Sequence, residues 1–200
     1  MAWRAWAELG EKLDDEQWSR PTRLEGWNAK HVYAHHSGFP AGLVALNAAP
    51  PARGALTHTS SAELLADMQR AGGPADAMAD QLRHQAVEHA AAHSTSELVE
   101  AFTTTAPRAI AECEQLDPTR PIDYTGMGIV PRGEAGRIVL MEAVVHYFDI
   151  ASALGMTMPG PMAGEPVRDT TLLLAEVADP VALIEAATGR GEPPVFPVLR

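Results

Sequence analysis

The stretch from Gly133 to Leu154 is apolar on nearly every side. Ile138, Val139, Leu140, Met141, Val144, Val145, Phe148 and Ile150 cover most of its circumference at helical spacing, and a helix apolar all round has to be covered by other elements. The run is not a membrane span: Ile138 to Val145 contains Glu142 and falls far short of the ~18 apolar residues that a span requires. Gly155 supplies the left-handed residue that ends such a helix. The rest of the chain therefore has to provide a shell of helices.

Helical periods are available for it, and strand alternation is scarce. Trp3, Trp6, Ala7 and Leu13 predict a short amphipathic helix stopped near Asp14-Asp15, with Glu16-Gln17-Trp18 as a turn. A second helix starts after Asn28 as N-cap and runs into the forties, kinked or divided at Pro40. Asn47 to Ser60 reads as loop, and Ser61 caps a helix through Arg70. Pro74 opens the next, to about Ala92, and another runs from Ser94 or Ser96 to before Asp117-Pro118, interrupted by Pro107. Thr119 to Arg132 is a long connection with a strand-like fragment, and Met156 to Glu165 is loop. Val167–Ala178 and Val181–Ala187 add shorter helices before an irregular tail at about 191–200. The expectation is a single all-α domain over 1–200, a four-helix bundle with short extra helices at the C-terminus.

Composition narrows the function classes. With 200 residues, 46% of them apolar, the chain can bury one core. The single cysteine, Cys113, excludes a disulfide framework, a CxxC pair and a Cys-rich zinc site. A formal charge of -11 argues against nucleic acid and anionic lipid as partners. The first residues show no basic-then-apolar leader. A cytoplasmic protein is the expectation, with no membrane and no nucleic acid among its partners.

Within the apolar rod, Glu142, His146 and Asp149 fall within about 60° of one another at helical spacing. A buried carboxylate is costly unless it is paired, protonated or bound to a metal. Glu142 and His146 at i, i+4 reach one cation, or else form a plain hydrogen bond. On the second helix, Val32, His35, Phe39 and Leu43 make an apolar stripe with an imidazole in its middle. His31 lies one turn earlier on nearly the same face, and His36 points about 100° away, where a surface residue is expected. If His35 meets Glu142 and His146, two histidines and one carboxylate form a zinc-type set that leaves coordination positions open. The same set suits non-haem iron. His89 and His93 form another i, i+4 pair, read as polar residues near a helix end or as pocket lining.

The segment from Pro21 to His35, with its Pro-Thr pair, Gly26-Trp27 and a histidine eight residues after the tryptophan, resembles the opening motif of the mycothiol-dependent maleylpyruvate isomerase-like family. That family belongs to the DinB-like four-helix bundles. Its second motif is matched by Glu142-Ala143-Val144-Val145-His146-Tyr147-Phe148-Asp149, with Phe148 in place of tryptophan and Ala153-Leu154-Gly155 following. Ala187-Thr188-Gly189-Arg190 is similar to a recurring late segment, so the resemblance spans Trp3 to Arg190. It implies His35, Glu142 and His146 as metal ligands, Asp149 as an outer partner and mycothiol as the small-thiol cofactor. His31 stands where the family has aspartate, and His36 where it has an aliphatic residue. Some members carry a further C-terminal domain that helps bind the thiol. No such domain is expected within these 200 residues, which makes maleylpyruvate itself an insecure expectation for the substrate.

Three functions follow in order. The first is a divalent-metal enzyme, with zinc first and iron, nickel or manganese as alternatives, that uses a small thiol on an electrophilic metabolite, by S-transfer or isomerisation. Cys113 is not the expected nucleophile, and Arg23 and Arg83 are candidates to bind a carboxylate of the thiol. The second is a hydrolase that activates water at the same site, with His31, His36 or Tyr33 as acid or base. The third is a non-catalytic, metal-stabilised bundle that binds a metabolite or a protein.

Overall fold

The computed structural model describes residues 2–190 and Val198; the expected irregular tail lies almost wholly outside the described residues. The described elements run α1 (Ala2–Gly10), α2 (Asp15–Ser19), α3 (Ala29–Ala48), α4 (Ser61–Gln69), α5 (Pro74–Ala92), α6 (Thr95–Glu100), a π-helical turn (Ala101–Thr105) and α7 (Ala106–Cys113). They continue with β1 (Pro121–Asp123), β2 (Ile129–Pro131), α8 (Arg132–Ala153), α9 (Gly160–Ala163), α10 (Glu165–Val177) and α11 (Pro180–Ala187). The architecture is all-α, with one antiparallel hairpin in which Ile122 faces Val130.

Helix α3 is the centre: α5, the α6–π–α7 segment and α8 all pack on it. Asn28 caps it, its side chain accepting from the His31 N–H while the His31 ring accepts from the Asn28 N–H. The helix passes through Pro40 without dividing. The main core joins α1, α3, α6, α7 and α8 around Trp6, Tyr33, Phe102 and Tyr147. Trp6 ties α1 to α8 by donating from Nε1 to the Ala143 carbonyl at 3.0 Å. A second, smaller core holds the hairpin, α4 and α10 against the first half of α8.

Several boundaries differ from expectation. Glu16-Gln17-Trp18 is helical, because Asp14 and Gln17 close a reciprocal cap around α2. Ser60, not Ser61, caps α4; Ser61 is buried and bonds Glu134 in the first turn of α8. The break between α6 and α7 is the π turn, and Pro107 sits harmlessly in the first turn of α7. The loop expected at 156–165 contains α9. Helix α8 ends at Ala153, with Gly155 at φ +62°.

Candidate metal centre

The site begins with two ligating atoms one turn apart on α8. His146 Nε2 lies 3.2 Å from Glu142 Oε2, and the Nδ1–H on the other side of the ring donates to Asp149 Oδ2 at 2.9 Å. Carboxylate oxygens thus face both ring nitrogens. Burial opposes charge on His146, but the bonds to Asp149 and Glu142 outweigh it and raise the ring to about 9. Burial likewise opposes ionisation of Glu142, and the hydrogen bond and charge of His146 hold its carboxyl below the ordinary value.

Asp149 is only 2% exposed, and Arg23 Nε donates to its Oδ1 at 2.6 Å. Burial would raise its carboxyl, but the bonds from His146 and Arg23 keep it low. An outer carboxylate on Nδ1 fixes the ring and turns Nε2 toward the ligand position. Arg23 reaches Asp149 from the loop before α3, and the sequence shapes that loop. Thr22 donates from both N–H and Oγ1 to the Trp27 carbonyl at 2.9 Å, and Gly26 takes φ +77° to let the turn close.

His35 completes the set from α3. Its ring stands edge-on to His146, with centroids 4.9 Å apart, and Trp27 packs near both rings. One ligand atom each from His35, Glu142 and His146 lies within 4.8 Å of the others. Burial, then the charge of His146, pushes His35 down to about 4 against the pull of Glu142, so at neutral pH it presents a lone pair. Two imidazoles and one carboxylate at this separation fit a divalent cation.

A cavity of about 780 Å³ opens on His35 and Glu142, within the range of small-molecule sites. Met68, Met78, Leu82 and Met127 make its apolar wall, and Gln85, Glu88 and His89 add polar groups. A chamber of about 340 Å³ shares His35 and Glu142 and adds His146, Trp27 and Arg83. The buried Trp27 Nε1–H has no acceptor among the described residues.

The other residues expected at the site lie elsewhere. His31 serves the α3 cap, and Tyr33 is buried, donating from its hydroxyl to the Trp6 carbonyl at 2.9 Å. His36 is fully buried, not on the surface: its Nε2 accepts from Trp3 Nε1 at 3.0 Å, and Trp6 and Phe102 flank its ring. The surface expectation failed because α3 is covered on both flanks of its His35 stripe. None of the three lines the cavity, so their acid–base role has no position from which to act.

Of the histidine pair at the C-terminal end of α5, His89 does line the cavity, with Ser37 Oγ at 3.3 Å from its Nε2, while the C-cap residue His93 has its Nδ1 3.0 Å from the His89 carbonyl. Arg23 is committed to Asp149; Arg83 lines the smaller chamber and pairs with Asp80 at 3.0 Å. Sequence reasoning missed Gln85, Glu88 and Thr125, which no motif marks and which reach the cavity only through the packing of α5 and the hairpin.

Residues 1–151 match the family model described as the mycothiol maleylpyruvate isomerase N-terminal domain. The chain belongs to this family. Membership ties it to mycothiol chemistry, and its helical architecture agrees with a DinB-like bundle. No curated protein and no solved structure matches the chain. No described helix is long and apolar enough to cross a membrane.

Proposed function

We propose that the chain is a metal-dependent enzyme that uses a small thiol of the mycothiol type to attack an electrophilic metabolite, by S-transfer or isomerisation. The observation that carries this reading is the convergence of His35, Glu142 and His146, two of which, His35 and Glu142, line an apolar-walled cavity while His146 lines the adjoining chamber. A divalent cation held by these residues, zinc first, supplies Lewis-acid chemistry that lowers the pKa of a thiol reaching it.

The chain's own residues account for the rest. Asp149 and Arg23 hold His146 in one orientation. Met68, Met78, Leu82 and Met127 exclude water from the apolar part of the substrate. The unpaired Trp27 N–H is a donor for an acceptor atom of the substrate or thiol. Arg83, which lines the smaller chamber and pairs with Asp80, is the candidate to exchange that partner for a carboxylate of the thiol. The thiol loses its proton to water, and its sulfur bonds to the electrophilic carbon. In transfer, the leaving group departs with the electron pair of the bond that breaks; in isomerisation, the pair of the attacked double bond moves onto the substrate's carbonyl oxygen, the resulting single bond rotates, and the pair returns to re-form the double bond as the thiolate leaves.

The test is turnover of a panel of epoxides, enones and activated sugars with and without mycothiol. Consumption that requires the thiol and disappears in His35→Ala supports the reading. Equal turnover without thiol replaces it with water activation at the same site. Abolished turnover in Cys113→Ala contradicts it.

A further inference from the structure

Away from the metal cavity, and sharing no lining residue with it, lies a pocket of about 200 Å³ between α1, α3, α7 and α8. Leu43, Leu46, Ile110, Val139 and Leu140 make its walls apolar, yet Arg132 also lines it. Arg132 is 2% exposed. Its Nη1 donates to Asn47 Oδ1 at 2.9 Å, while Nε and Nη2 have no acceptor among the described residues. Nε and Nη2 form one edge of the guanidinium, the fork that presents two parallel N–H bonds to a carboxylate.

No described carboxylate pairs with this arginine. The nearby Asp117 spends its Oδ1 on the N–H and hydroxyl of Thr119. A buried guanidinium with one edge unanswered is costly unless something pairs with it. The Asn47 amide cannot supply the missing charge, and its own nitrogen is used on the Ala109 carbonyl.

We propose that this pocket is a second ligand site, for a short apolar monocarboxylate. Nε and Nη2 are closed off as the side chain stands, so the carboxylate takes this edge once the guanidinium turns toward the pocket, and the tail lies between Leu43, Ile110 and Val139. Arg132 is the one cation among the described residues that line the pocket and matches one negative charge, which favours a carboxylate over a phosphate dianion. The volume of about 200 Å³ holds roughly seven groups at about 30 Å³ each, close to the size of a five- or six-carbon acid. Gly136 lies on the pocket rim, where an added Cβ meets nothing within 4 Å. A larger side chain there has open space at its Cβ from which to enter the pocket.

The full-length protein is titrated with sodium hexanoate and, separately, with hexan-1-ol, following the methyl resonances of Ile110, Val139 and Leu140. Saturable shifts are expected, with hexanoate at least tenfold tighter than the alcohol. Arg132→Gln and Gly136→Leu are each expected to weaken hexanoate at least tenfold. If Arg132→Gln does not fold, Gly136→Leu decides. Absence of saturable shifts, equal binding of the alcohol, shifts centred on Met78 and Met127 instead, or unchanged binding in either folded variant overturns the proposal.

Discussion

His35 and His36 are neighbours on α3, and burial depresses both rings first and foremost, yet they serve opposite ends. His36 looks into an aromatic box: Trp3 donates to it, and Trp6 and Phe102 lie against it. His35 looks across a cavity at Glu142 and His146, and among the described residues no hydrogen bond ties its ring down. Burial alone does not separate a core histidine from a ligand. What separates them is whether the lone pair is already answered by a donor of the core or left facing a carboxylate and open space. One face of α3 holds the bundle together, and the other carries the proposed metal site.

Variants on the two faces should therefore fail differently. On the core face, Trp6→Ala removes a fully buried ring together with its bond to Ala143 and is expected to cost about 3–5 kcal/mol in urea unfolding. The fraction still folded should keep its metal affinity, and equal loss of both would erase the distinction. On the site face, Asp149→Asn weakens the acceptor on His146 Nδ1. It should lower metal affinity about 10–100-fold by competitive chelator titration, and an unchanged affinity would remove Asp149 from the site.

A control far from both faces is Glu134, which accepts from Ser61 and Arg137. Burial opposes its ionisation, but the Ser61 bonds and then Arg137 outweigh it and hold the carboxyl below its ordinary value. A depressed folded value stabilises above the unfolded one, so the contribution is complete above about pH 4.5 and is lost as pH falls through the folded value. Glu134→Gln should cost about 1–2 kcal/mol at pH 7, and the gap should close in acid. The smallest effect is expected for the stability of His35→Ala in the presence of chelator, within about 1 kcal/mol of the parent. A larger loss would make His35 a core residue like its neighbour.

The grouping of His35, Glu142, His146 and Asp149 was legible in the sequence, and the core side of the contrast was not. Glu142, His146 and Asp149 break an apolar helix at one angular position, and His35 sits within an apolar stripe, so periodicity alone marks them. His36 defeated the same reasoning, because a helix covered on several flanks has no polar face for periodicity to find. Tyr33 and His31 depend on partners that pattern does not reveal: a carbonyl on α1 and the α3 cap. The Asn28 cap and the Gly155 stop were readable from local chemistry. The π turn at Ala101–Thr105 was not, since it shifts the hydrogen-bond register without a signature residue, and Pro107 drew attention to the wrong place. The cavity walls on α5 and the hairpin arise from tertiary packing and carry no motif.

The central claim is that His35, Glu142 and His146 bind one divalent metal. The most direct measurement is elemental mass spectrometry of the purified full-length protein beside His35→Ala and His146→Ala. The account predicts about one equivalent of metal in the parent and none in either folded variant. A parent that stays empty after reconstitution with zinc, iron, nickel and manganese, or variants that keep the metal, would contradict it and reduce the three residues to a buried hydrogen-bond network.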